Sequence, residues 1–121
     1  MSLEADLLAI DEQFWTGGPE AYARHCDERC LVVFASMAAV MSREDIAKTA
    51  EEGRWTNVRM TPKGFVQLSG TSAVIAYDCT AMRRDGHPHH ALVSSGYVQR
   101  PDGWKLATHQ QTEISNAPKA A

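Results

Sequence analysis

The chain has 121 residues, 44% hydrophobic and 22% charged, with a formal net charge of −3, values typical of one folded domain. The acidic balance and the lack of a basic run argue against a nucleic-acid partner, because phosphate binding needs clustered lysine and arginine. A membrane span is not expected either, because the longest apolar stretch, residues 31–41, is interrupted by Ser36 and falls short of the roughly 20 residues required.

The N-terminus and the cysteines bear on the cellular compartment. Residues 1–6 are acidic and lack the basic start and apolar run of a signal peptide. Cys26, Cys30 and Cys79 cannot all pair with one another, so a secreted disulfide framework is not expected. Two cysteines at the spacing of Cys26 and Cys30 do not make a zinc site by themselves, which leaves three buried free thiols. The sequence therefore predicts a cytoplasmic protein.

Three helices are predicted in the first half of the chain. Apolar residues recur at steps of three and four from Leu3 to Phe14, the pattern of a helix with one buried face, and the Gly17-Gly18 pair ends it as a left-handed cap. Pro19 begins a short second helix that runs to about Cys26. The third helix begins at Ser42, whose side chain caps free amides above two acidic residues, and ends at Gly53.

The remaining segments have the composition of strands. Residues 30–35 form a buried strand with a short partner at residues 38–41. Four long strands follow, separated by glycine-containing turns, at residues 55–68, 73–83, 89–100 and 104–114. A bulge is expected near Pro62 and Gly64, because proline cannot donate to a strand ladder. Residues 115–121 are predicted to be a disordered tail.

Short motifs mark the ends of several predicted elements. They are Phe14-Trp15, residues 17–22 (Gly-Gly-Pro-Glu-Ala-Tyr), residues 42–46 (Ser-Arg-Glu-Asp-Ile), residues 102–106 (Asp-Gly-Trp-Lys-Leu) and residues 109–112 (His-Gln-Gln-Thr). In this order, over residues 3–114, they resemble the nuclear-transport-factor-2-like superfamily. That superfamily includes SnoaL-like polyketide cyclases, ketosteroid isomerase, scytalone dehydratase and the association domain of calmodulin-dependent kinase II.

The resemblance implies an α+β cone that forms a single domain over residues 1–114. Its curved antiparallel sheet of about six strands would pack against three helices of the N-terminal half and enclose a pocket. Laid on the isomerase pattern, the chain is expected to point Asp78, Ser95 and Gln110 into the pocket and His109 away from it. The residues expected to line the pocket are Ile10, Phe14, Trp15, Tyr22, Cys26, Phe34, Ile46, Ala76, Thr80, Ser95, Tyr97, Thr108 and Gln110.

Asp78 is the candidate catalytic residue, because it is the one carboxylate in the middle of an otherwise apolar strand. A carboxyl group in a low-dielectric pocket has a raised pKa and can act as a general acid or base. The alternative is a structural aspartate that accepts hydrogen bonds from a tyrosine, a serine or a backbone amide. The catalytic phenol, base and neutral acid of the isomerase would fall at Ile10, Phe34 and Ser95, so steroid isomerisation is not expected.

His87, His89 and His90 form a string just after the turn at Asp85 and Gly86. Imidazoles beside a carboxylate can bind a transition metal, but a turn leaves them exposed and without the supporting contacts of a real site. A solvated hairpin is the preferred interpretation. No metal and no other cofactor is therefore expected.

Three classes of function remain open at this point. The preferred one is a binding protein for a small apolar or amphipathic molecule, homodimeric through the outer face of the sheet. The second is a cofactor-independent lyase or isomerase, similar to a polyketide cyclase or a dehydratase, that uses Asp78 as acid or base. The third is an oligomerisation module.

Overall fold

The computed structural model describes residues 2–51 and 53–114, and within these residues it has three helices and six strands. The helices are α1 (Leu3–Thr16), α2 (Pro19–His25) and α3 (Arg43–Thr49). The strands are β1 (Cys26–Phe34), β2 (Met37–Ser42), β3 (Trp55–Ser69), β4 (Ser72–Arg83), β5 (Pro88–Arg100) and β6 (Gly103–Glu113). The predicted disordered tail, residues 115–121, lies outside the described residues.

All six strands belong to one sheet, in the order β2-β1-β6-β5-β4-β3. Neighbouring strands are antiparallel except β1 and β6, which run parallel. The sheet is curved and does not close on itself, and the helices pack on its inner face. The predicted α+β fold class is confirmed.

The helix ends follow from local capping. Ser2 caps α1 and Ser42 caps α3, each accepting a 3.1 Å hydrogen bond from the amide three residues later. Gly17 ends α1 in extended conformation, with its amide 2.8 Å from the carbonyl oxygen of Gln13, and not in the predicted left-handed conformation. Helix α3 ends at Thr49, short of the predicted Gly53, which instead takes a positive φ of 79° in the turn before β3.

The pairing of the long strands is irregular at several points, and two of these bear on the predicted features. The pairing of β3 with β4 shifts between Pro62 and Gly64, so the predicted bulge is confirmed. A second bulge lies in β6, where Leu106 pairs with Tyr97 and Thr108 with Gly96. Ala107 is left unpaired, and this extra residue changes which side chains of β6 face the helices.

The hydrophobic core lies between the helices and the inner face of the sheet. Leu7 and Trp15 of α1 are buried against it. The inner-face residues of β4 and β5 in the core are Ala73, Ile75, Tyr77, Cys79, Ala81, Ala91, Val93 and Tyr97. All three cysteines are buried free thiols. In the described part of the chain, no helix has the length and apolar character needed to cross a membrane.

Candidate functional site

A fully buried carboxylate lies at the centre of the inner face. Leu7, Asp11 and Trp15 follow one another at four-residue steps on α1, so all three side chains point at the sheet. Asp11 has no exposed surface, and it accepts hydrogen bonds from the hydroxyls of Tyr77, Tyr97 and Ser95. Three donors satisfy the buried carboxylate.

The two tyrosines are held in their protonated form. Burial, and then the negative charge of Asp11, raise the pKa of both Tyr77 and Tyr97. The hydroxyl of Tyr77 also accepts a 2.9 Å hydrogen bond from Nε1 of Trp15. The position of the Trp15 indole is therefore linked to Asp11 through one phenol.

A second set of hydrogen bonds leads from Asp11 along the sheet. The Oγ atom of Ser95 lies 2.9 Å from Asp11 Oδ2 and 2.9 Å from Nδ1 of His109. The other imidazole nitrogen of His109, Nε2, lies 3.0 Å from Nε2 of Gln111. Burial lowers the pKa of His109, which favours the neutral imidazole.

His89 lies at the end of this set of contacts. Its Nε2 is 3.2 Å from Oε1 of Gln111, and its residue is only 6% exposed. Its ring lies beside two indoles, with ring centroids 4.7 Å from Trp55 and 5.9 Å from Trp15. Among the described residues, Nδ1 of His89 is buried without a hydrogen-bond partner, and the Glu113 carboxylate lies 3.7 Å from it.

His89, His109 and Gln111 form part of the wall of a cavity of about 330 Å³ between the helices and the inner face. The apolar and aromatic lining comprises Phe14, Trp15, Tyr22, Cys30, Val32, Phe34, Ala35, Met41, Ile46, Trp55 and Leu106. The polar lining comprises Ser36, Thr49, Arg54, Arg83, His89, His109, Gln111 and Glu113. The guanidinium of Arg83 lies 5.1 Å from the ring centroid of Trp55, a cation–π contact.

Several solved structures share this architecture. An NTF2-like protein of unknown function from Prochlorococcus marinus matches with a TM-score of 0.78 at 16% identity, over 97% of each chain. A ketosteroid isomerase-like protein from Erwinia carotovora matches with a TM-score of 0.73 at 19% identity, over 93% of this chain and 94% of that chain. The association domain of C. elegans CaMKII matches with a TM-score of 0.67 at 13% identity, over 88% and 89%.

The chain has the nuclear-transport-factor-2-like fold. The predicted resemblance to that superfamily is confirmed at the level of structure. No family model matches the sequence, and no curated protein matches it. At identities between 13% and 19%, the similarity to these solved structures extends to the fold alone.

The residues predicted to line the pocket of this fold divide into three groups. Phe14, Trp15, Tyr22, Phe34 and Ile46 lie in the cavity wall. Ile10, Cys26, Ser95 and Tyr97 lie on the inner side but outside that wall, with Ser95 and Tyr97 bonded to Asp11 and the others packed in or against the core. The remaining four, Ala76, Thr80, Thr108 and Gln110, lie on the outer face, so their predicted placement is wrong.

The strand register explains the wrong placements. Asp78 pairs with Leu92 and Ile75 pairs with Ser95, so Asp78 and Ser95 cannot share a face. In β6 the bulge at Ala107 interrupts the alternation, which turns Gln110 outward and brings His109 inward. The sequence-based expectation was the reverse for both residues.

Asp78 takes part in an outer-face contact. Both of its carboxylate oxygens lie 2.9 Å from Nε2 of His90, and both side chains are about a quarter exposed. Asp78 is absent from the cavity wall. The prediction that it acts as an acid or base inside the pocket is therefore wrong.

The histidine string is divided by the same alternation. His87 lies in the exposed turn, 3.0 Å from Asp85, while His89 points inward and His90 points outward. The interpretation of the string as a solvated hairpin is thus wrong for His89, because β5 begins at Pro88. Among the described residues, no group of three or more histidine, cysteine, aspartate or glutamate side chains is placed to hold a metal ion.

Sequence reasoning did not place Asp11, Tyr77, His89, His109 and Gln111 at the site, and it did not place Trp55 in the cavity wall. One of them carries a visible signal: Asp11 is a charged residue at a four-residue step from both Leu7 and Trp15, inside the apolar stripe of α1. The others lie on strands whose inner face was not determined by composition, and their roles depend on register.

Proposed function

We propose that this protein binds a small, mainly aromatic molecule in the cavity between the helices and the inner face of the sheet. The observation that supports this most is the cavity itself, about 330 Å³ in volume and lined mainly by apolar and aromatic side chains, with eight polar residues in the rest of the wall. A largely apolar wall with few, fixed polar groups is the usual composition of a small-molecule site.

The wall has two chemical characters. The indoles of Trp15 and Trp55, whose ring centroids lie 5.2 Å apart, offer flat apolar surface to a ring. His89, Gln111 and Glu113 are adjacent and offer hydrogen-bonding groups. An amphipathic aromatic molecule suits both parts.

An enzyme that uses Asp78 is not part of this proposal, because Asp78 contacts His90 on the outer face. The third class, an oligomerisation module, concerns that outer face and is compatible with an occupied cavity. The cytoplasmic location expected from the sequence stays a prediction.

The proposal can be tested with 2-methoxynaphthalene, an aromatic probe that has no hydrogen-bond donor. Trp15 and Trp55 lie in the cavity wall, so we expect saturable quenching of tryptophan fluorescence and shifts of their indole N–H signals in NMR spectra. A Val32→Phe variant fills part of the cavity and should abolish binding, because Val32 lies in the wall.

The matched control is Val33→Phe on the same strand. Val33 pairs with Gln110 on the outer face, so this variant should bind the probe as the natural protein does. Circular dichroism would establish that both variants are folded. Equal binding to both variants, or no saturable binding to the natural protein, would contradict the proposed function.

A further inference from the structure

Nδ1 of His89, a buried polar atom of the cavity wall, has no hydrogen-bond partner among the residues that the structure describes. We propose that this atom is a fixed hydrogen-bond acceptor that selects ligands carrying a neutral aromatic hydroxyl, such as phenols and naphthols. The tautomer that presents this lone pair is set by a chain of hydrogen bonds that begins at Asp11. This proposal rests on the proposed function of the cavity.

The first links of the chain have forced directions. The Asp11 carboxylate can only accept, and Ser95 has a single hydroxyl hydrogen to donate. Because Asp11 is fully buried, that hydrogen goes to its Oδ2, 2.9 Å away. The Ser95 oxygen is then free to accept, so Nδ1 of His109, also 2.9 Å away, carries the hydrogen of that contact.

The donor and acceptor roles of the next two hydrogen bonds, which lead to His89, follow from these. A neutral His109 with its hydrogen on Nδ1 has a lone pair on Nε2, which accepts from the Gln111 amide nitrogen at 3.0 Å. The amide oxygen of Gln111 then faces Nε2 of His89 at 3.2 Å and accepts a hydrogen from it. His89 therefore keeps its own hydrogen on Nε2 and presents the Nδ1 lone pair to the cavity.

The surroundings of Nδ1 define the chemistry of the group it takes. Because this buried atom has no hydrogen-bond partner among the described residues, a ligand that donates a hydrogen bond to it would remove the free-energy cost of an unsatisfied acceptor. The Glu113 carboxylate, 3.7 Å away, cannot donate and disfavours an anionic group at this point. The indoles of Trp15 and Trp55, which lie beside the imidazole and beside each other, suit an aromatic ring that bears the hydroxyl.

Asp11 and Ser95 are positioning residues in this scheme, since they act through His109 and Gln111. Their role can be measured without any ligand by long-range proton–nitrogen NMR correlation at mildly alkaline pH. We expect hydrogen on Nε2 and a lone pair on Nδ1 for His89, and the opposite tautomer for His109. Three results for His89 would overturn the proposal. They are the tautomer with hydrogen on Nδ1, an equal mixture of the two tautomers, and an imidazolium with hydrogen on both nitrogens.

A pair of neighbouring serines provides a matched comparison. Ser95→Ala removes the link to Asp11, and both histidines should then show mixed tautomers. Ser94→Ala removes a hydroxyl from the next residue, which points to the outer face and donates to Gln110 at 3.0 Å. This control should leave both tautomers unchanged, and a Ser95→Ala protein that keeps them pure would refute the chain of hydrogen bonds.

Ligand selection is tested with 2-naphthol and 2-methoxynaphthalene, in which a methyl group replaces the hydroxyl hydrogen of the naphthol. In calorimetric titrations the natural protein should bind the naphthol about tenfold more tightly than the methyl ether, because one hydrogen bond to a buried acceptor contributes about that factor to affinity. In His89→Phe this preference should disappear, so that the ratio of the two affinities falls to about one. If the ether binds but the preference is absent from the natural protein, the inference fails while the proposed function stands; if neither probe binds, the proposed function itself fails.

Discussion

The Asp11 carboxylate organises the polar interior, because three hydroxyl groups from two strands converge on it. In an Asp11→Asn variant the amide nitrogen would face one of these donors, so at least one hydrogen bond is lost and a buried charge no longer strengthens the others. We expect the free energy of unfolding to fall by about 2–3 kcal/mol. Urea denaturation followed by circular dichroism measures the change.

The neighbouring Glu12 provides the control for this variant. Glu12 is exposed, and Glu12→Gln removes the same charge from the same helix, so its effect should stay within about 0.5 kcal/mol. Equal stabilities of the two variants would show that the hydroxyl groups do not depend on the Asp11 charge.

His109 predicts a pH dependence of stability. Burial lowers its pKa in the folded protein below the ordinary 6.5, although the Asp11 charge opposes this shift. Below that pH the unfolded chain binds the proton first, so the free energy of unfolding falls as the pH falls, until folded His109 is itself protonated. The limiting slope for one proton is about 1.4 kcal/mol per pH unit.

Denaturation curves at several pH values should show this slope in the natural protein and a smaller one in His109→Gln. His87→Gln removes a histidine from the exposed turn and should keep the slope of the natural protein. A slope that survives in His109→Gln would assign the effect to another group.

Asp78 is expected to contribute little, in contrast to Asp11. Its contact with His90 lies on the outer face and is partly exposed, and such pairs stabilise proteins by less than about 1 kcal/mol. Asp78→Asn should therefore lose less than that in urea denaturation and bind 2-methoxynaphthalene with unchanged affinity. Lost binding in this variant would mean that Asp78 affects the cavity despite its placement.

The difference between these two aspartates shows what sequence could and could not predict at the residue scale. Asp78 stands out because its strand neighbours are apolar, yet strand alternation alone cannot tell the inner face from the outer face. The partners of Asp11 lie on β4 and β5, far away in the chain, so no local pattern predicts them. The fold was predictable from local patterns, whereas the site required the strand register.

At the scale of the elements, the bulge in β6 accounts for the largest error in the predicted strand faces. The bulge in β3 was predictable, because Pro62 and Gly64 are residues that strand ladders tolerate poorly. The bulge in β6 lies at Ala107, a residue type with no such preference. This bulge reversed the predicted faces of His109 and Gln110.

Gly96 lies beside that bulge and predicts a steric coupling between two strands. A Cβ atom added at Gly96 would come 2.6 Å from Cγ2 of Thr108, well inside the roughly 3.5–4.0 Å of a normal carbon contact. Gly96→Ala should lower the free energy of unfolding by about 1–2 kcal/mol through this overlap.

Thr108→Ser removes the obstructing methyl group, so the double variant should recover most of the stability lost by Gly96→Ala. Thermal or urea denaturation of the four proteins in this cycle measures the coupling. Additive effects of the two substitutions would show that the methyl group of Thr108 does not obstruct the added Cβ atom.

At the scale of the whole molecule, the two faces of the sheet differ in what covers them. Ile75 and Tyr77 are buried on the inner face and are not available to an interface. The outer face carries a cross-strand row of uncharged residues that spans all six strands: Val40, Leu31, Thr108, Gly96, Val74 and Val66. The adjacent row, also uncharged, comprises Val33, Gln110, Ser94, Ala76 and Gly64.

This outer face predicts a homodimer. Leu31 and Leu92 are each 44% exposed on it and Val66 is 57% exposed. Exposed apolar surface of this kind is typical of an interface between protein chains. Light scattering at micromolar concentration should give a molar mass twice that of one chain. Ala76→Glu should reduce the molar mass to that of one chain, because two glutamates would meet near the centre of the face and repel each other. Ala23→Glu places the same charge on exposed helix surface and should leave the dimer intact. A monomeric natural protein would refute the prediction, and a dimer that survives Ala76→Glu would place the interface on another surface.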